Sequence, residues 1–497
     1  MNVRKLLREI SERKGNDVAF VFKDVDYTYK TLEENTNKVA NFLKELGVKK
    51  GTKVGIYMLN NPEYIYSYLA IFKIGAIAVP LDHRLKTEEI FPLLNHCEAE
   101  FLITTISKEF NPDLIMKNVP SLKNIIITKG TFQNCVSLEE KIENFSPEFS
   151  GNEINDSDIA AIFYTSGTTG VPKGVIWTYK HLESPIDTIF HHYHYCEEND
   201  VCISPIPFSH NGGIVAILLI LFGVKLVVME YYHPLELLQN LQKYNVAGTF
   251  LVPTMFIGML NLEVFEKFHL PKLRWAAVFG APYSPDVIKK FNKVCPQAKL
   301  LSGYGLTETA APNVLPPLED VRFGSVGKPV PWIEVKIVDE DGVEVPKGEV
   351  GEIIMKGWPV TPGYYNQPDL TAQVIRDGWL YTGDLGKFDN DGYLYIVGRK
   401  KDVIIVGGLN VYATEVEGVI YKHPKVKEVA VVGVPDKIRG EAIKAVIVPK
   451  EGEELTESEI KNYCREHLAT YKVPSIIEFR NELPKTGSGK IKKELLR

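Results

Sequence analysis

Short apolar runs alternate with segments of helical periodicity over most of the chain, and this alternation constrains the fold more than any other feature. Apolar runs at residues 54–58, 75–81 and 99–104 neighbour helix-like segments, and similar segments recur at residues 88–95 and 234–244. Strands joined through helices pair in parallel, so the pattern predicts layered α/β sheets. At 497 residues the chain is also too long for one hydrophobic core, and we expect more than one domain.

The pattern of apolar runs changes near residue 335, where short strand-like runs are separated by Asp-Gly turns. These features predict an antiparallel, barrel-like subregion. After a basic junction at residues 400–402, two further strand-like runs and the capping box Thr456-Glu-Ser-Glu459 predict a smaller α/β unit. The predicted fold class is therefore α/β. A large N-terminal domain of layered sheets with the small antiparallel subdomain spans residues 1–400, and a smaller C-terminal α/β domain spans residues 401–497.

Charge, cysteine use and hydropathy restrict the class of protein. The net charge of −6 gives no electrostatic reason to expect a nucleic acid as partner, and the six cysteines are scattered as in proteins of a reducing compartment. The N-terminus reads as a charged amphipathic helix and not as a signal peptide. The longest apolar run, residues 214–229, is broken by Gly223 and Lys225 and predicts a buried helix followed by a strand. We expect a cytoplasmic protein with no integral membrane segment.

The stretch Tyr164-Thr-Ser-Gly-Thr-Thr-Gly-Val-Pro-Lys-Gly174 combines hydroxyls, glycines and a lysine between two apolar flanks. The flanks predict strands, so the stretch is a tight loop between them. Glycines allow close approach of a ligand to the backbone, while hydroxyls, amides and a lysine donate to phosphate oxygens. It is not a Walker A loop, because no Gly-Lys-Ser/Thr follows to open a helix. A generic loop of this composition would be a surface hairpin; this one predicts a phosphate site.

Five further positions carry groups suited to a nucleotide. Tyr304, in a loop after a strand, offers a flat platform for a purine, and Glu308 offers a carboxylate for Mg²⁺. Asp384 lies in a turn and could accept from ribose hydroxyls, with Arg399 reaching the same ribose or the phosphates. Taken singly, each also reads as an ordinary turn or surface residue. Lys490, between glycines near the C-terminus, is either a solvated lysine or a mobile cation for phosphate.

Two other features concern the substrate. Small residues at Gly280-Ala281-Pro282 follow a strand and could admit an edge of the base. His210 precedes an apolar helix and is either an ordinary histidine or the lining of a substrate pocket.

These motifs, in this order, resemble the adenylate-forming superfamily of acyl-CoA synthetases, peptide-synthetase adenylation domains and firefly luciferase. The resemblance covers essentially the whole chain. The matching motifs are Tyr164–Gly174, Gly280-Ala-Pro282, Tyr304-Gly-Leu-Thr-Glu308, Gly351-Glu352 with Gly363-Tyr364, Tyr381-Thr-Gly-Asp384, Gly398-Arg-Lys-Lys-Asp402 and Pro484–Lys490.

The resemblance implies that a carboxylate attacks Mg·ATP to give acyl-AMP and pyrophosphate, and that the acyl group then passes to CoA. It implies that Lys490, Glu308, Thr165 and Lys173 are catalytic, that Thr165 and Glu308 hold Mg²⁺, and that a mobile C-terminal domain turns about the hinge Lys401. The implied nucleotide-binding residues are Thr165, Ser166, Gly167, Thr168, Thr169, Gly170, Lys173, Gly280, Ala281, Pro282, Gly303, Tyr304, Gly305, Thr307, Asp384, Arg399 and Lys490. The implied acyl-pocket residues are His210, Gly213, Gly280 and Gly303, and those lining a CoA tunnel are Gly407, Gly408 and Leu409.

The same resemblance favours an acyl-CoA synthetase among the members of the superfamily. Adenylation domains for amino acids have an aspartate where this chain has Ser209, and no carrier domain follows residue 497. Acetate-specific enzymes have a tryptophan where this chain has Gly303, which predicts a deeper pocket and a medium- to long-chain fatty acid. Aryl and short hydroxy acids, transfer to a carrier protein instead of CoA, and a non-enzymatic nucleotide-binding protein are alternatives. A homodimer is also left open.

Overall fold

The computed structural model describes residues 1–106, 111–165, 172–279, 285–485 and 491–497. Its helices are α1 (Val3–Lys14), α2 (Tyr29–Glu45), α3 (Pro62–Ile74), α4 (Thr87–His96), α5 (Pro112–Asn118), α6 (Leu138–Ile142), α7 (Ser184–Ile186), α8 (Asn211–Ile220), α9 (Pro234–Lys243), α10 (Pro253–Leu260), α11 (Pro285–Val294), α12 (Pro368–Val374), α13 (Ala413–Ile420) and α14 (Glu457–His467).

The strands alternate with these helices in the first part of the chain and follow one another more closely after it. They are β1 (Val18–Phe22), β2 (Val25–Thr28), β3 (Lys53–Tyr57), β4 (Ile77–Pro80), β5 (Phe101–Thr104), β6 (Asn124–Ile127), β7 (Val136–Ser137), β8 (Ile159–Thr165), β9 (Lys173–Thr178), β10 (Val201–Ser204), β11 (Lys225–Val228), β12 (Gly248–Leu251), β13 (Trp275–Val278), β14 (Lys299–Leu301), β15 (Val314–Leu315), β16 (Lys328–Pro329), β17 (Ile333–Val338), β18 (Gly351–Gly357), β19 (Ile375–Arg376), β20 (Trp379–Phe388), β21 (Leu394–Arg399), β22 (Val403–Val406), β23 (Leu409–Tyr412), β24 (Val426–Asp436), β25 (Gly440–Pro449) and β26 (Ile476–Phe479).

Two seven-stranded sheets organise the N-terminal part of the described chain. Their strand orders are β7-β6-β5-β3-β4-β8-β9 and β14-β13-β12-β10-β11-β1-β2. Pairing is parallel except at one edge of each sheet, where β9 runs antiparallel to β8 and β2 antiparallel to β1. The antiparallel pairing of β8 and β9 brings the two ends of the glycine-rich stretch, Thr165 and Lys173, next to each other.

Two apolar helices join the sheets into one core. Residues of α3 and α8 are buried almost throughout, and their side chains belong to a single apolar cluster that contains residues of both seven-stranded sheets. A helix that is apolar on all sides must be enclosed, which is why the run at residues 214–229 forms a core helix followed by β11. In the described chain no helix combines the length and the apolar character needed to cross a membrane.

The later part of the chain forms two smaller sheets. Strands β17, β18, β20, β19 and β21 make an antiparallel sheet with its own apolar cluster. Strands β22 to β26 make a second sheet, in which β26 is parallel to β25, and α13 and α14 pack with it in a separate core. The Thr456 side chain caps α14 by accepting from the Glu459 amide at 3.2 Å. The predicted α/β class, with layered sheets, an antiparallel subregion and a C-terminal α/β unit, is confirmed.

Candidate nucleotide and acyl site

The hairpin of β8 and β9 brings two predicted residues to opposite sides of the glycine-rich stretch. Thr165 is the last residue of β8 and Lys173 the first of β9, and the two are paired across the ladder. Both are partly buried, so a hydroxyl and an ammonium stand at the base of one loop. Residues 166–171 between them, which include Ser166, Gly167, Thr168, Thr169 and Gly170, lie outside the described part of the chain, as do Gly280, Ala281, Pro282 and Lys490.

Tyr304, Asp384 and Arg399 form one hydrogen-bonded network. The Tyr304 hydroxyl donates to Asp384 Oδ2 at 2.9 Å, and Arg399 Nε lies 2.8 Å from Asp384 Oδ1. Burial and the neighbouring Asp384 carboxylate raise the pKa of Tyr304 well above its ordinary value, so the phenol remains a donor. Asp384 is 5% exposed. A flat ring beside an oriented carboxylate matches the predicted sites for a purine and a ribose.

Glu308 lies in a segment that is fixed through its backbone. The Trp177 indole donates to the Thr307 carbonyl at 2.7 Å, and the Thr361 amide donates to the Glu308 carbonyl at 2.7 Å. The Glu308 side chain accepts from the Tyr364 hydroxyl at 2.9 Å. Because Trp177 belongs to β9, these contacts join the strand that begins at Lys173 to the segment that carries Glu308.

The space beside Gly303 is occupied by the chain itself. A Cβ built on Gly303 would overlap Leu315 and lie 2.5 Å from Phe279 Cε1. The Phe279 ring is in turn stacked on Phe250, with the ring centroids 6.4 Å apart. Glycine is therefore required for close packing here, and the deeper pocket expected from Gly303 is filled on this side by Phe279 and Leu315.

The neighbouring Gly305 is also enclosed. A Cβ at this position would lie 2.6 Å from the Ala311 Cβ and 3.0 Å from the Asn313 side-chain oxygen. The Tyr304 amide donates to the Val314 carbonyl at 2.9 Å, which fixes the loop against the following segment. Gly303 and Gly305 thus let the backbone on both sides of Tyr304 pack closely.

His210 belongs to a polar cluster. Its Nε2 lies 2.9 Å from Arg84 Nη2 and 3.3 Å from Asp82 Oδ2. Burial favours a higher pKa for Asp82, but its hydrogen bonds with His210 and Arg84 outweigh burial and lower the pKa below its ordinary value. Asp82 is therefore an anion, and it orients the side chains of His210 and Arg84. The predicted role of His210 as acyl-pocket lining is compatible with this position but has no direct support from it.

A cavity of about 400 Å³ lies beside this cluster. Arg84 and His83 line one side, and the residues that follow β10, β11 and β12 line the other, among them Pro205, Tyr231 and Val252. Ligands of α/β sheets bind at the carboxyl ends of parallel strands, and the cavity has that location. A Cβ at Gly213 would overlap the backbone of Pro207 and Phe208, so this glycine lets α8 begin close to the preceding turn, and its acyl-pocket role stays a prediction.

The predicted residues of the C-terminal part lie on a separate surface. Gly407 and Gly408 form the exposed turn between β22 and β23, and Leu409 is the exposed first residue of β23. A Cβ on either glycine would meet no described atom within 4 Å. Lys401 is exposed in a short turn directly after Arg399. The preceding Lys400 binds Glu352 Oε2 at 3.0 Å. The structure thus groups Thr165, Lys173, Gly303 to Glu308, Asp384 and Arg399 around linked segments, with the Gly407–Leu409 turn exposed.

Several contributors to this site were not predicted as site residues. Three of them belong to no polar motif, and only their contacts in the folded chain relate them to the site: Phe279, Leu315 and Trp177. Tyr364 was part of a matching motif, Gly363-Tyr364, but no role was assigned to it. Glu352, whose Oε1 accepts from the Gly383 amide at 3.1 Å, supports the turn that carries Asp384.

Comparison with known proteins agrees with this geometry. The family model described as AMP-binding enzyme matches residues 7–365, and the model of the AMP-binding enzyme C-terminal domain matches residues 415–490. The chain therefore belongs to the family of AMP-binding, adenylate-forming enzymes, and the prediction of an acyl-CoA synthetase is confirmed at the level of class.

Named relatives and solved structures cover nearly the full chain. The crotonobetaine/carnitine–CoA ligase of Proteus mirabilis is 33% identical over 100% of this chain and 98% of its own length. A long-chain-fatty-acid–CoA ligase of Escherichia coli is 33% identical over 98% of this chain and 92% of its own length. The crystal structure of the anthranilate CoA ligase AuaEII with anthranoyl-AMP has a TM-score of 0.94 at 30% identity, and covers 100% of this chain and 96% of that one. ATP-bound MatB from Rhodopseudomonas palustris has a TM-score of 0.90 at 29% identity, with coverage of 100% and 98%.

Proposed function

We propose that the protein activates a carboxylic acid with ATP, forming acyl-AMP and pyrophosphate, and then transfers the acyl group to CoA. The observation that carries this proposal is the network of Tyr304, Asp384 and Arg399 beside the segment that holds Glu308 and the flanks of the glycine-rich hairpin. Within it, Tyr304 would stack on the adenine, and Asp384 and Arg399 would hold the ribose. Thr165 and Lys173 would bind the phosphates that leave.

Little covalent chemistry is asked of the protein in the first step. The acid oxygen attacks the α-phosphorus and pyrophosphate leaves, so the chain must align the two and neutralise charge on the phosphates. The donors at the base of the hairpin would serve the leaving group. Lys490 would bridge the acid and the α-phosphate as a compact cation.

The donor set suits Mg²⁺. Magnesium is bound in proteins through one or two oxygen ligands together with substrate phosphates, and Glu308 and Thr165 supply a carboxylate and a hydroxyl. Among the described residues there is no cluster of three or more His, Cys, Asp or Glu that would form an all-protein metal site. Bound Mg²⁺ would neutralise charge on the phosphates. The Tyr364 hydroxyl, which donates to Glu308, would fix the carboxylate that holds it.

For the second step we propose that the C-terminal domain, residues 401–497, turns about Lys401 relative to residues 1–400. That movement would withdraw Lys490 and bring the exposed turn of Gly407, Gly408 and Leu409 to the site as the wall of a thiol tunnel. A hinge at a domain boundary permits such a rotation. Transfer to a carrier protein would use the same first step. We also propose that the enzyme is cytoplasmic. A homodimer is a further proposal, which light scattering would test.

We propose a medium- to long-chain fatty acid as the substrate, supported by the names of several relatives, which are long-chain-fatty-acid–CoA ligases. A compact acid, such as an aryl or short hydroxy acid, is the second candidate. It is favoured by the space beside Gly303, which Phe279 and Leu315 fill. The two candidates differ in the volume that the pocket must offer.

The test is pyrophosphate and AMP release with a panel of acids from acetate through long-chain and aryl acids, with and without CoA. We expect steady turnover that depends on CoA with one class of acid. Turnover that requires an added carrier protein would show that the acceptor is the carrier protein and not CoA. The absence of pyrophosphate release with every acid would contradict the proposed activity.

Replacing Phe279 with alanine is expected to widen the acyl pocket. Removing the ring opens the space beside Gly303. The kcat/KM for acids longer or bulkier than the preferred acid should therefore rise about 10-fold relative to the kcat/KM for the preferred acid. The measurement is kcat/KM across the acid panel for both proteins. The control is Phe323→Ala, which removes an exposed ring, 61% exposed, and should leave the preference unchanged. An unchanged preference in Phe279→Ala would show that this ring does not limit the acid.

A further inference from the structure

Residues 361–367, called the strap here, lie between the hairpin strand β9 and the segment of Glu308. The Ile176 amide donates to the Gly363 carbonyl at 3.2 Å, and the Tyr365 amide donates to the Gly174 carbonyl at 2.7 Å. The Gln367 side chain donates to the Pro172 carbonyl at 2.9 Å. The strap therefore lies directly along the start of β9, the strand that Lys173 begins.

The strap also holds the Glu308 segment. The Thr361 amide donates to the Glu308 carbonyl, and the Thr361 hydroxyl donates to the Ile176 carbonyl, both at 2.7 Å. Every one of these contacts uses a backbone group on at least one side, and none involves the Tyr364 side chain. The position of the strap is therefore set without the Tyr364 hydroxyl.

The Tyr364 side chain adds one contact of a different kind. Its hydroxyl donates to Glu308 Oε1 at 2.9 Å, and the residue is 8% exposed. Lys173 Nζ lies 6.0 Å from the centroid of the same ring. A carboxylate only accepts hydrogen bonds, so the Tyr364 hydroxyl is the donor in this contact.

We propose that Tyr364 is a positioning residue that fixes the Glu308 carboxylate in one orientation relative to Lys173 and the phosphate hairpin. The ring is near Lys173 Nζ, and its hydroxyl occupies one acceptor site of the Glu308 carboxylate. An exposed glutamate would lose side-chain entropy each time it bound a ligand, and a held carboxylate loses less. The inference rests on the proposed role of Glu308 in holding Mg²⁺ with ATP.

The test compares wild type with Tyr364→Phe, which keeps the ring and the strap. Calorimetric titration of Mg²⁺ into the enzyme saturated with a non-hydrolysable ATP analogue should show metal affinity weakened about 10-fold, since one charge-assisted hydrogen bond is lost. AMP binding without metal should remain within about twofold, because the hydroxyl bonds to Glu308 and not to Asp384. The matched control is Tyr365→Phe, the next residue of the strap, which should change neither affinity.

A double-mutant cycle with Glu308→Gln decides whether Tyr364 acts through Glu308. In the Glu308→Gln background, Tyr364→Phe should cause no further loss of Mg²⁺ affinity. A full and additive loss in that background, or unchanged affinity in Tyr364→Phe alone, would overturn the inference. If Glu308→Gln alone left the Mg²⁺ affinity of the nucleotide complex at the wild-type value, the proposed role of Glu308 would fail instead, so the two failures are distinguishable.

Discussion

Lys490→Ala is expected to lower the rate of acyl-AMP formation at least about 100-fold while thioester formation from supplied acyl-AMP stays within about twofold. The first step develops charge around the α-phosphate, and a single compact cation contributes most when it is aligned with that charge. The second step proceeds after the proposed domain rotation, when Lys490 is withdrawn. Pyrophosphate release measures the first step, and consumption of synthetic acyl-AMP with CoA measures the second.

The control for this prediction is Lys492→Ala, which removes a neighbouring lysine and should leave both steps unchanged. Equal losses in the two steps of Lys490→Ala would contradict the assignment of Lys490 to adenylation alone. Loss of thioester formation alone would assign Lys490 to the second step instead of the first.

Asp384→Asn is expected to weaken AMP binding about 100-fold, since two hydrogen bonds from ribose hydroxyls to a carboxylate become bonds to a neutral amide. The free energy of unfolding should fall by only about 1–2 kcal/mol. The loss is limited because the Arg399 side chain is 48% exposed and regains water when its partner is neutralised. Calorimetry with AMP and denaturant unfolding measure the two effects.

The matched control is Asp391→Asn. Asp391 is 64% exposed and binds Arg322 at 2.7 Å on a neighbouring turn. This substitution should change neither AMP affinity nor stability by a measurable amount, because an exposed ion pair contributes little. If Asp384→Asn bound AMP as tightly as wild type, the ribose site would have to lie elsewhere.

Much of the fold follows from local sequence pattern. Helical periodicity and apolar runs predicted the alternating elements, and the all-apolar run at residues 214–229 predicted a buried helix before a strand. Boundaries were less well determined. The strand expected at residues 75–81 is β4, Ile77–Pro80, because Gly75 ends α3 in the left-handed conformation with φ of 86°.

The chemistry of the nucleotide site was also accessible from the sequence. The residue types at Thr165, Lys173, Tyr304, Glu308, Asp384 and Arg399 suit a nucleotide because hydroxyl, cation, ring and carboxylate match its phosphates, base and ribose. Their order along the chain gave the family resemblance. What each side chain contacts was not accessible, because residues 304, 384 and 399 come from three segments that only the folded sheets bring together.

Packing decided features that the sequence pattern could not determine. Gly303 predicted a deeper pocket. The volume beside a glycine depends on which side chains from other segments pack against it, and at Gly303 these are Phe279 and Leu315. At Gly213 the structure adds a close approach of two backbones that the sequence did not indicate. Tyr364 gained its role only when the strap placed its hydroxyl 2.9 Å from Glu308. Composition, periodicity and motif order therefore determined the class of fold and enzyme, whereas pocket volume and carboxylate orientation depended on contacts between residues distant in sequence, which only the tertiary structure fixes.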